Sequence, residues 1–201
     1  MNRLLAAAAA ALTLAACADA PTPVELTSPS GGPAAVKYYY PQQTIFTTET
    51  PASTLDATGG WEVGTRFTTT REGLLSGFRY WKALGETGSH TVKLWTTSGS
   101  LIWSLGFAYE SASGWQSTYS KYSMVLPPGT YIASVNTNTK QVKTFAFFNG
   151  GPIVRNYLSA DAGAYGQPVG SFPSTISGSA FFVDVDFSPM RCDTDVDSPC
   201  P

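Results

Sequence analysis

Short segments of alternating apolar and polar residues are the feature of this sequence that most limits its fold. The clearest segment is 181–187, where apolar side chains at the odd positions alternate with Phe182, Asp184 and Asp186. Comparable stripes occur at 92–95, 101–109, 131–135 and 145–147. A period of two is that of a half-buried β-strand, and no stretch keeps the 3.6-residue period of an amphipathic helix. The chain is therefore predicted to fold from β-strands.

Glycine, proline and asparagine separate these stripes about every ten residues. Short strands at such a spacing predict an all-β fold, an antiparallel β-sandwich of jelly-roll or immunoglobulin-like type in a single domain of about eight to ten strands. Residues 149–178 lack the alternation and contain many glycines and prolines, so they are predicted to form a long loop. Long loops are either functional or simply irregular, and this one is where a binding surface is expected.

Residues 1–16 have the pattern of a bacterial lipoprotein export signal. Arg3 precedes an apolar stretch at 4–16 that is too short to span a bilayer as a stable helix. The end of the stretch, Leu14-Ala15-Ala16-Cys17, resembles the lipobox that lipoprotein signal peptidase recognises. We therefore expect cleavage before Cys17, which would then carry the lipid anchor. An ordinary signal peptide with an incidental cysteine is the alternative.

Composition divides the rest of the chain into three parts. Residues 17–37 are rich in Pro, Ala, Ser, Thr and Gly and are predicted to be a flexible tether with a reach of roughly 25 Å. Residues 38–188 carry the stripes and are predicted to form the β-sandwich. Residues 189–201 are a predicted tail closed by a disulfide between Cys192 and Cys200, because paired cysteines in an exported protein are expected to be oxidised.

The predicted location is the cell envelope, lipid-anchored and extracytoplasmic. Ala18, rather than Asp, follows the lipobox cysteine and favours the outer membrane if the host has two membranes. The membrane is then a partner through the lipid anchor. A net charge of −2, with 13% charged residues and no basic run, gives no basis for binding nucleic acid.

Motifs spread over residues 62–187 resemble, in their order, a known bacterial family. They are Val63-Gly64-Thr65-Arg66-Phe67, Gly77-Phe78-Arg79-Tyr80-Trp81-Lys82, Thr87-Gly88-Ser89-His90, Leu94-Trp95, Ser113-Gly114-Trp115-Gln116, Gly129-Thr130-Tyr131 and Phe182-Val183-Asp184-Val185-Asp186-Phe187. The chain resembles domain-of-unknown-function family 4082, found in secreted bacterial proteins beside immunoglobulin-like repeats and carbohydrate-active modules. The resemblance implies an extracytoplasmic β-sandwich of binding or adhesive character. This chain has Val135-Asn136 where the family tends to place a Tyr-His pair.

Aromatic side chains are the main candidates for ligand binding. The chain has five tryptophans and ten tyrosines, and an exposed ring can stack on the apolar face of a sugar. The candidate ligand-binding residues are Trp81, His90, Trp95, Trp115 and Tyr165. Trp95 is expected to be exposed because it is out of phase with Val92 and Leu94. We expect at least one of the three candidate tryptophans to lie exposed beside residues 149–178.

His90 is the only histidine, so a Ser-His-Asp triad would have to include it. It follows Gly88 and Ser89 without any nucleophile-elbow motif, which favours a packing or turn-stabilising role. Its place in the family motif keeps it among the binding candidates.

Asp184 and Asp186 lie two residues apart on a predicted strand and therefore share one face. Three interpretations remain open: a Ca²⁺ site, acid–base chemistry with a third carboxylate such as Glu110, or simply a solvated strand face. Ca²⁺ is the only cofactor that the sequence brings into consideration. No catalytic residue and no metal ligand is assigned.

These observations favour a non-catalytic, lipid-anchored envelope module that binds a ligand, with carbohydrate as the leading candidate. One alternative is a structural or adhesive envelope protein that contacts another protein, and a second is a small glycan-cleaving enzyme. One histidine and no recognised nucleophile leave most catalytic schemes incomplete, whereas stacking needs only a placed ring.

Replacing Cys17 with Ser tests the lipid anchor. The variant should take up no labelled palmitate and should leave the membrane fraction, because the diacylglycerol is attached through the thiol. Metabolic labelling and detergent-phase partitioning measure both effects. Cys192→Ser is the matched control and should keep the label. Persistent labelling of Cys17→Ser would contradict the prediction.

Overall fold

Two antiparallel β-sheets packed face to face form the body of the protein. The structure, a computed structural model, describes residues 37–191. Cys17, Cys192 and Cys200 lie outside these residues, and with them the predicted anchor and disulfide. Among the described residues, no helix has the length and apolar character needed to cross a membrane.

Strands account for almost all of the regular structure between residues 37 and 191. They are β1 (Tyr38–Tyr39), β2 (Ser53–Asp56), β3 (Trp61–Thr69), β4 (Gly73–Lys82), β5 (Thr91–Thr96), β6 (Leu101–Gly106), β7 (Gly114–Leu126), β8 (Gly129–Thr137), β9 (Lys140–Lys143), β10 (Ile153–Arg155), β11 (Leu158–Gly166), β12 (Thr175–Ser177) and β13 (Val183–Arg191). One short 3-10 helix spans Phe147–Gly150. The predicted all-β sandwich is confirmed.

The two sheets have different sizes. The smaller has the strand order β1-β13-β4-β7, and the larger has the order β10-β11-β3-β8-β5-β6, with β12 also paired to β11. Every pairing is antiparallel. Strands β2 and β9 form a separate two-stranded ribbon.

The core lies between the inner faces of the two sheets. Its fully buried side chains include Phe67, Leu75, Phe78, Tyr80, Val92, Leu94, Val135, Val185 and Phe187. The alternation that predicted β5, β8 and β13 is therefore the alternation between the core and the outer face of each sheet. The last strand continues to Arg191, beyond the predicted domain boundary at residue 188.

Residues 149–178 are not the long loop that the sequence predicts, because they contain three strands. Strand β11 pairs with β3 on one side and with β10 and β12 on the other, so it is an interior strand of the larger sheet. The buried positions of β11 are mostly alanine and glycine, so the sequence shows no clear alternation of large apolar and polar residues there. A Cβ atom at Gly163 would lie 2.1 Å from the Ser179 carbonyl oxygen, so the close approach of the 179–181 segment requires glycine there.

The stripe at 145–147 also differs from its prediction. Phe145 is 60% exposed and belongs to no strand, and Phe147 begins the 3-10 helix. Two aromatic residues in alternation are too short a pattern to distinguish a strand from a turn.

The described chain begins and ends at one end of the sandwich. Tyr38 pairs with Arg191, and β3 ends at Thr69 close to the start of β4, where Gly73 pairs with Pro189. Strand β13 starts at the opposite end and is nine residues long. At about 3.3 Å per residue, the two ends of β13 are about 26 Å apart. The start of β3 lies at the end away from Arg191.

Candidate functional site

A pocket lined by aromatic rings opens at the end of the sandwich away from Lys37 and Arg191. Its volume is about 220 Å³. The lining residues are Trp61, Gln141, Lys143, Tyr165 and Phe181. Of these, Tyr165 is a residue that the sequence analysis put forward for ligand binding.

The rings come from three chain segments that end near one another. Trp61 is the first residue of β3, Tyr165 lies near the end of β11, and Phe181 precedes β13. The Trp61 and Tyr165 ring centroids are 5.9 Å apart, and so are those of Tyr165 and Phe181. Trp61 and Tyr165 are half-buried, whereas Phe181 is buried. Packing therefore fixes the rings while two of them keep surface open to a ligand.

Two polar side chains reach the pocket from β9. Gln141 and Lys143 are two residues apart and so project from the same side of the strand, while Val142 between them is buried. The Lys143 Nζ atom lies 5.2 Å from the centroid of the Phe181 ring and 5.9 Å from that of Tyr165. The Gln141 Oε1 atom is buried and accepts no hydrogen bond from residues 37–191.

A second pocket lies at the other end of the sandwich and is less suited to stacking. Tyr40, Gln43, Asn156 and Tyr157 line a volume of about 370 Å³. The Tyr40 and Tyr157 rings stack on each other with centroids 5.7 Å apart. The Arg71 guanidinium carbon lies 4.3 Å from the centroid of the Tyr157 ring. Contacts within the fold therefore already use the faces of these rings.

Four of the residues lining the first pocket were not among the sequence candidates. Trp61 belongs to the tryptophan inventory, but no motif separates it from the tryptophans that pack in the core. Gln141 and Lys143 flank a buried valine in β9, a four-residue strand too short for a reliable stripe. Their meeting with Phe181 depends on a contact between distant segments, an isolated bridge between Thr144 and Ala180.

The expectation that Trp95 is exposed is wrong. Its ring does lie on the outer face of the larger sheet, but Phe172 packs against it with ring centroids 5.8 Å apart. Its Nε1 donates a 2.8 Å hydrogen bond to Ser134 Oγ. The phase of a residue within a strand gives its face, and the segment between β11 and β12 covers this face.

Trp81 and Trp115 are half-buried neighbours on the outer face of the smaller sheet. They pair across β4 and β7, and their rings meet edge to face at 5.4 Å. The Arg79 guanidinium carbon lies 4.2 Å from the centroid of the Trp115 ring. Since Trp95 is buried, none of the three candidate tryptophans is exposed beside residues 149–178, and that expectation is also wrong.

His90 is buried between two carboxylates. Its Nε2 lies 2.9 Å from Glu86 Oε1, and its Nδ1 lies 2.8 Å from Glu110 Oε2. Glu110 also accepts hydrogen bonds from Lys82 Nζ at 2.6 Å and from the Tyr80 hydroxyl at 3.3 Å. Both ring nitrogens are engaged inside the fold, which is the packing arrangement that the sequence favoured.

Glu86 links this network to the turn between β8 and β9. Its carboxylate accepts hydrogen bonds from the backbone amides of Asn138, Thr139 and Lys140. Burial by itself raises the pKa of Glu86, but the hydrogen bonds from His90 and these amides outweigh it and lower the pKa to about 2. The charged form of Glu86 therefore fixes the start of β9, the strand that carries Gln141 and Lys143.

Asp184 is fully buried and holds the segment that precedes β2 against the smaller sheet. Its Oδ1 accepts a 2.8 Å hydrogen bond from the Ile45 amide, and its Oδ2 accepts a 3.0 Å bond from the Phe46 amide. Arg79 Nη2 lies 2.8 Å from Oδ2 and also donates to the Phe46 carbonyl. Burial, the largest influence on the pKa of Asp184, raises it against these partners.

Asp186 is also buried, so the interpretation of this pair as a solvated face is wrong. Burial raises the pKa of Asp186, and its Oδ2 has no hydrogen-bond partner among residues 37–191. Glu110 bonds to Tyr80, whereas Asp184 bonds to the adjacent Arg79. Successive residues of β4 face opposite sides of the sheet, so the sheet separates Glu110 from the aspartates. Within residues 37–191, no three His, Cys, Asp or Glu side chains are grouped to hold a metal ion.

The fold and this pocket define the protein as an antiparallel β-sandwich with an aromatic pocket at the end remote from both ends of the described chain. The family model described as "Domain of unknown function (DUF4082)" matches residues 47–183. The chain therefore belongs to that family, as its motifs indicate. Comparison with curated proteins found no match.

Glu86→Gln tests whether the His90 network stabilises the fold through charge. Because the pKa of Glu86 is lower in the folded protein than its ordinary value of 4.5, its ionised form contributes stability above that value. That contribution is lost as the pH falls from about 4.5 towards 2. Between pH 7 and pH 3, the free energy of unfolding measured in urea should fall less in the variant than in the unchanged protein. Asp161→Asn, at an exposed ion pair, is the control, and an unchanged acid loss in Glu86→Gln would refute the assignment.

Asp184→Asn tests the anchoring of the segment before β2. The change leaves Arg79 without its carboxylate and turns an amide N–H towards the Phe46 N–H, which should lower the free energy of unfolding by about 3 to 5 kcal/mol. Asp161→Asn removes a half-exposed partner of Arg66 and should change it by no more than about 1 kcal/mol. Equal effects of the two changes in chemical denaturation would show that Asp184 is not an anchor.

Proposed function

We propose that this protein is a lipid-anchored module of the cell envelope that binds carbohydrate, without turnover, in the pocket of Trp61, Tyr165 and Phe181. The observation that carries the proposal is the combination of two half-buried rings with a polar edge. Sugars have an apolar face for stacking and hydroxyl groups around the rim. Gln141 and Lys143 place polar side chains at the edge of the same pocket.

The position of the pocket supports presentation away from a membrane. Lys37 and Arg191 lie at one end of the sandwich, and the pocket lies at the other. If Cys17 carries lipid, the tether joins the domain at Lys37. The pocket then opens on the side away from the attachment point, where a polysaccharide of the envelope or the surroundings can reach it.

The pocket lining does not support glycan cleavage. Its five lining residues include no carboxylate, whereas glycoside hydrolysis uses a pair of carboxyl groups flanking the scissile bond. The chemistry of the lining therefore favours binding.

A protein partner is the second candidate, and strand β7 favours it. Within residues 37–191 this strand pairs only with β4, and it exposes Tyr119, Tyr122 and Val125. Exposed aromatic side chains on an edge strand suit an adhesive contact. A protein ligand at β7 would be sensitive to Tyr122→Ala, whereas a sugar in the pocket would not.

A glycan-array screen of the mature protein, followed by titration with the strongest ligand found, tests the proposal. Trp61→Ala or Tyr165→Ala should weaken binding by about tenfold to a hundredfold, because each change removes a stacking surface. Tyr109→Ala is the matched control, since that ring is 95% exposed. Thermal unfolding should show that all three variants remain folded. Full affinity in the folded pocket variants, or no glycan ligand at all, would refute the proposal.

A further inference from the structure

Lys143 differs from most lysines of the described chain in having no acidic partner. Four lysines between residues 37 and 191 form ion pairs with carboxylates: Lys37, Lys82, Lys93 and Lys140. The other two, Lys121 and Lys143, lie over aromatic rings instead. Lys121 is exposed on β7, whereas Lys143 is half-buried in the pocket.

Aromatic rings surround the Lys143 ammonium group. Its Nζ lies 4.5 Å from the centroid of the Phe145 ring, in addition to its contacts with Phe181 and Tyr165. None of the three rings neutralises the ammonium group, and Lys143 is half-buried. At a partly buried site an added carboxylate interacts more strongly with an ammonium than it would in open water.

The pocket combines two features that a ligand has to match. Its half-buried rings suit an apolar face, and Lys143, which has no acidic partner among the described residues, suits an anion.

We infer that the pocket selects an acidic saccharide, with its carboxylate paired to Lys143 Nζ and its apolar face stacked on Trp61 or Tyr165. Uronic acids have both features in one ring. This inference rests on the proposed carbohydrate-binding function and adds the chemical class of the ligand.

The test compares oligosaccharides that differ only in the carboxyl group. Oligomers of glucuronic, galacturonic and mannuronic acid are titrated into the mature protein by calorimetry, each beside its carboxyl-reduced neutral counterpart. At least one acidic oligomer should bind about tenfold or more tightly than its neutral counterpart, and added salt should reduce the difference.

Two lysine variants assign the preference to Lys143. Lys143→Met keeps the length of the side chain and removes its charge, so the preference for the acid should disappear, while Lys143→Arg should retain it. Lys121→Met is the matched control, because Lys121 also lies over a ring, 5.3 Å from the Tyr122 centroid, without an acidic partner. It should leave the preference unchanged.

The outcomes separate this inference from the proposed function. Equal binding of acidic and neutral oligomers, lost in Tyr165→Ala, would overturn the selectivity and leave the carbohydrate pocket standing. A preference that survives Lys143→Met would also overturn it. Binding that survives Tyr165→Ala, or no binding to any oligomer of either set, would overturn the pocket and the inference together.

Discussion

Buried carboxylates that accept backbone N–H groups hold the connecting segments of this protein in place. Asp184 binds the amides of Ile45 and Phe46, Glu62 binds the amide of Gly170, and Glu86 binds three consecutive amides from Asn138. A segment that packs on a sheet takes its amides out of water, and each needs a new acceptor. A carboxylate offers two oxygens for this purpose, and the charge strengthens each hydrogen bond.

Two of these carboxylates hold segments that cover part of the outer face of each sheet. Glu62 lies on the outer face of the larger sheet with Lys93 and Ser134, and Ser134 also accepts the Trp95 hydrogen bond. Asp184 and Arg79 form the corresponding ion pair on the smaller sheet. In each ion pair the opposite charges neutralise each other beneath the covering segment, so that aromatic side chains can pack beside them. Parts of both outer faces that would meet solvent in a simpler sandwich are therefore buried here.

The third carboxylate, that of Glu86, supports the strand that forms the polar edge of the pocket. Glu86 fixes the Lys140 amide, and Gln141 and Lys143 follow directly in the same short strand. His90 and Glu110 extend the network into the core, where Tyr80 and Lys82 complete it. The polar edge of the pocket is thus supported by charged groups that do not themselves line it. Such support pre-organises a binding site and reduces the entropy lost when a ligand is held.

The sequence by itself determined the all-β class, the inward stripes of β5, β8 and β13, and membership of a family whose motifs run through most of the sandwich. These properties depend on local alternation and on residue order, and both can be read directly from the sequence. Tyr165 was a candidate as an aromatic residue within residues 149–178, where a binding surface was expected. Only the tertiary structure decided which aromatic rings keep an open face, because Phe172 covers Trp95 and Arg79 covers Trp115 from distant parts of the chain. It also decided that Asp184 holds a covering segment and that Gln141 and Lys143 meet Trp61 and Phe181, since these contacts depend on how separate segments cross the sheets and no local pattern encodes that crossing.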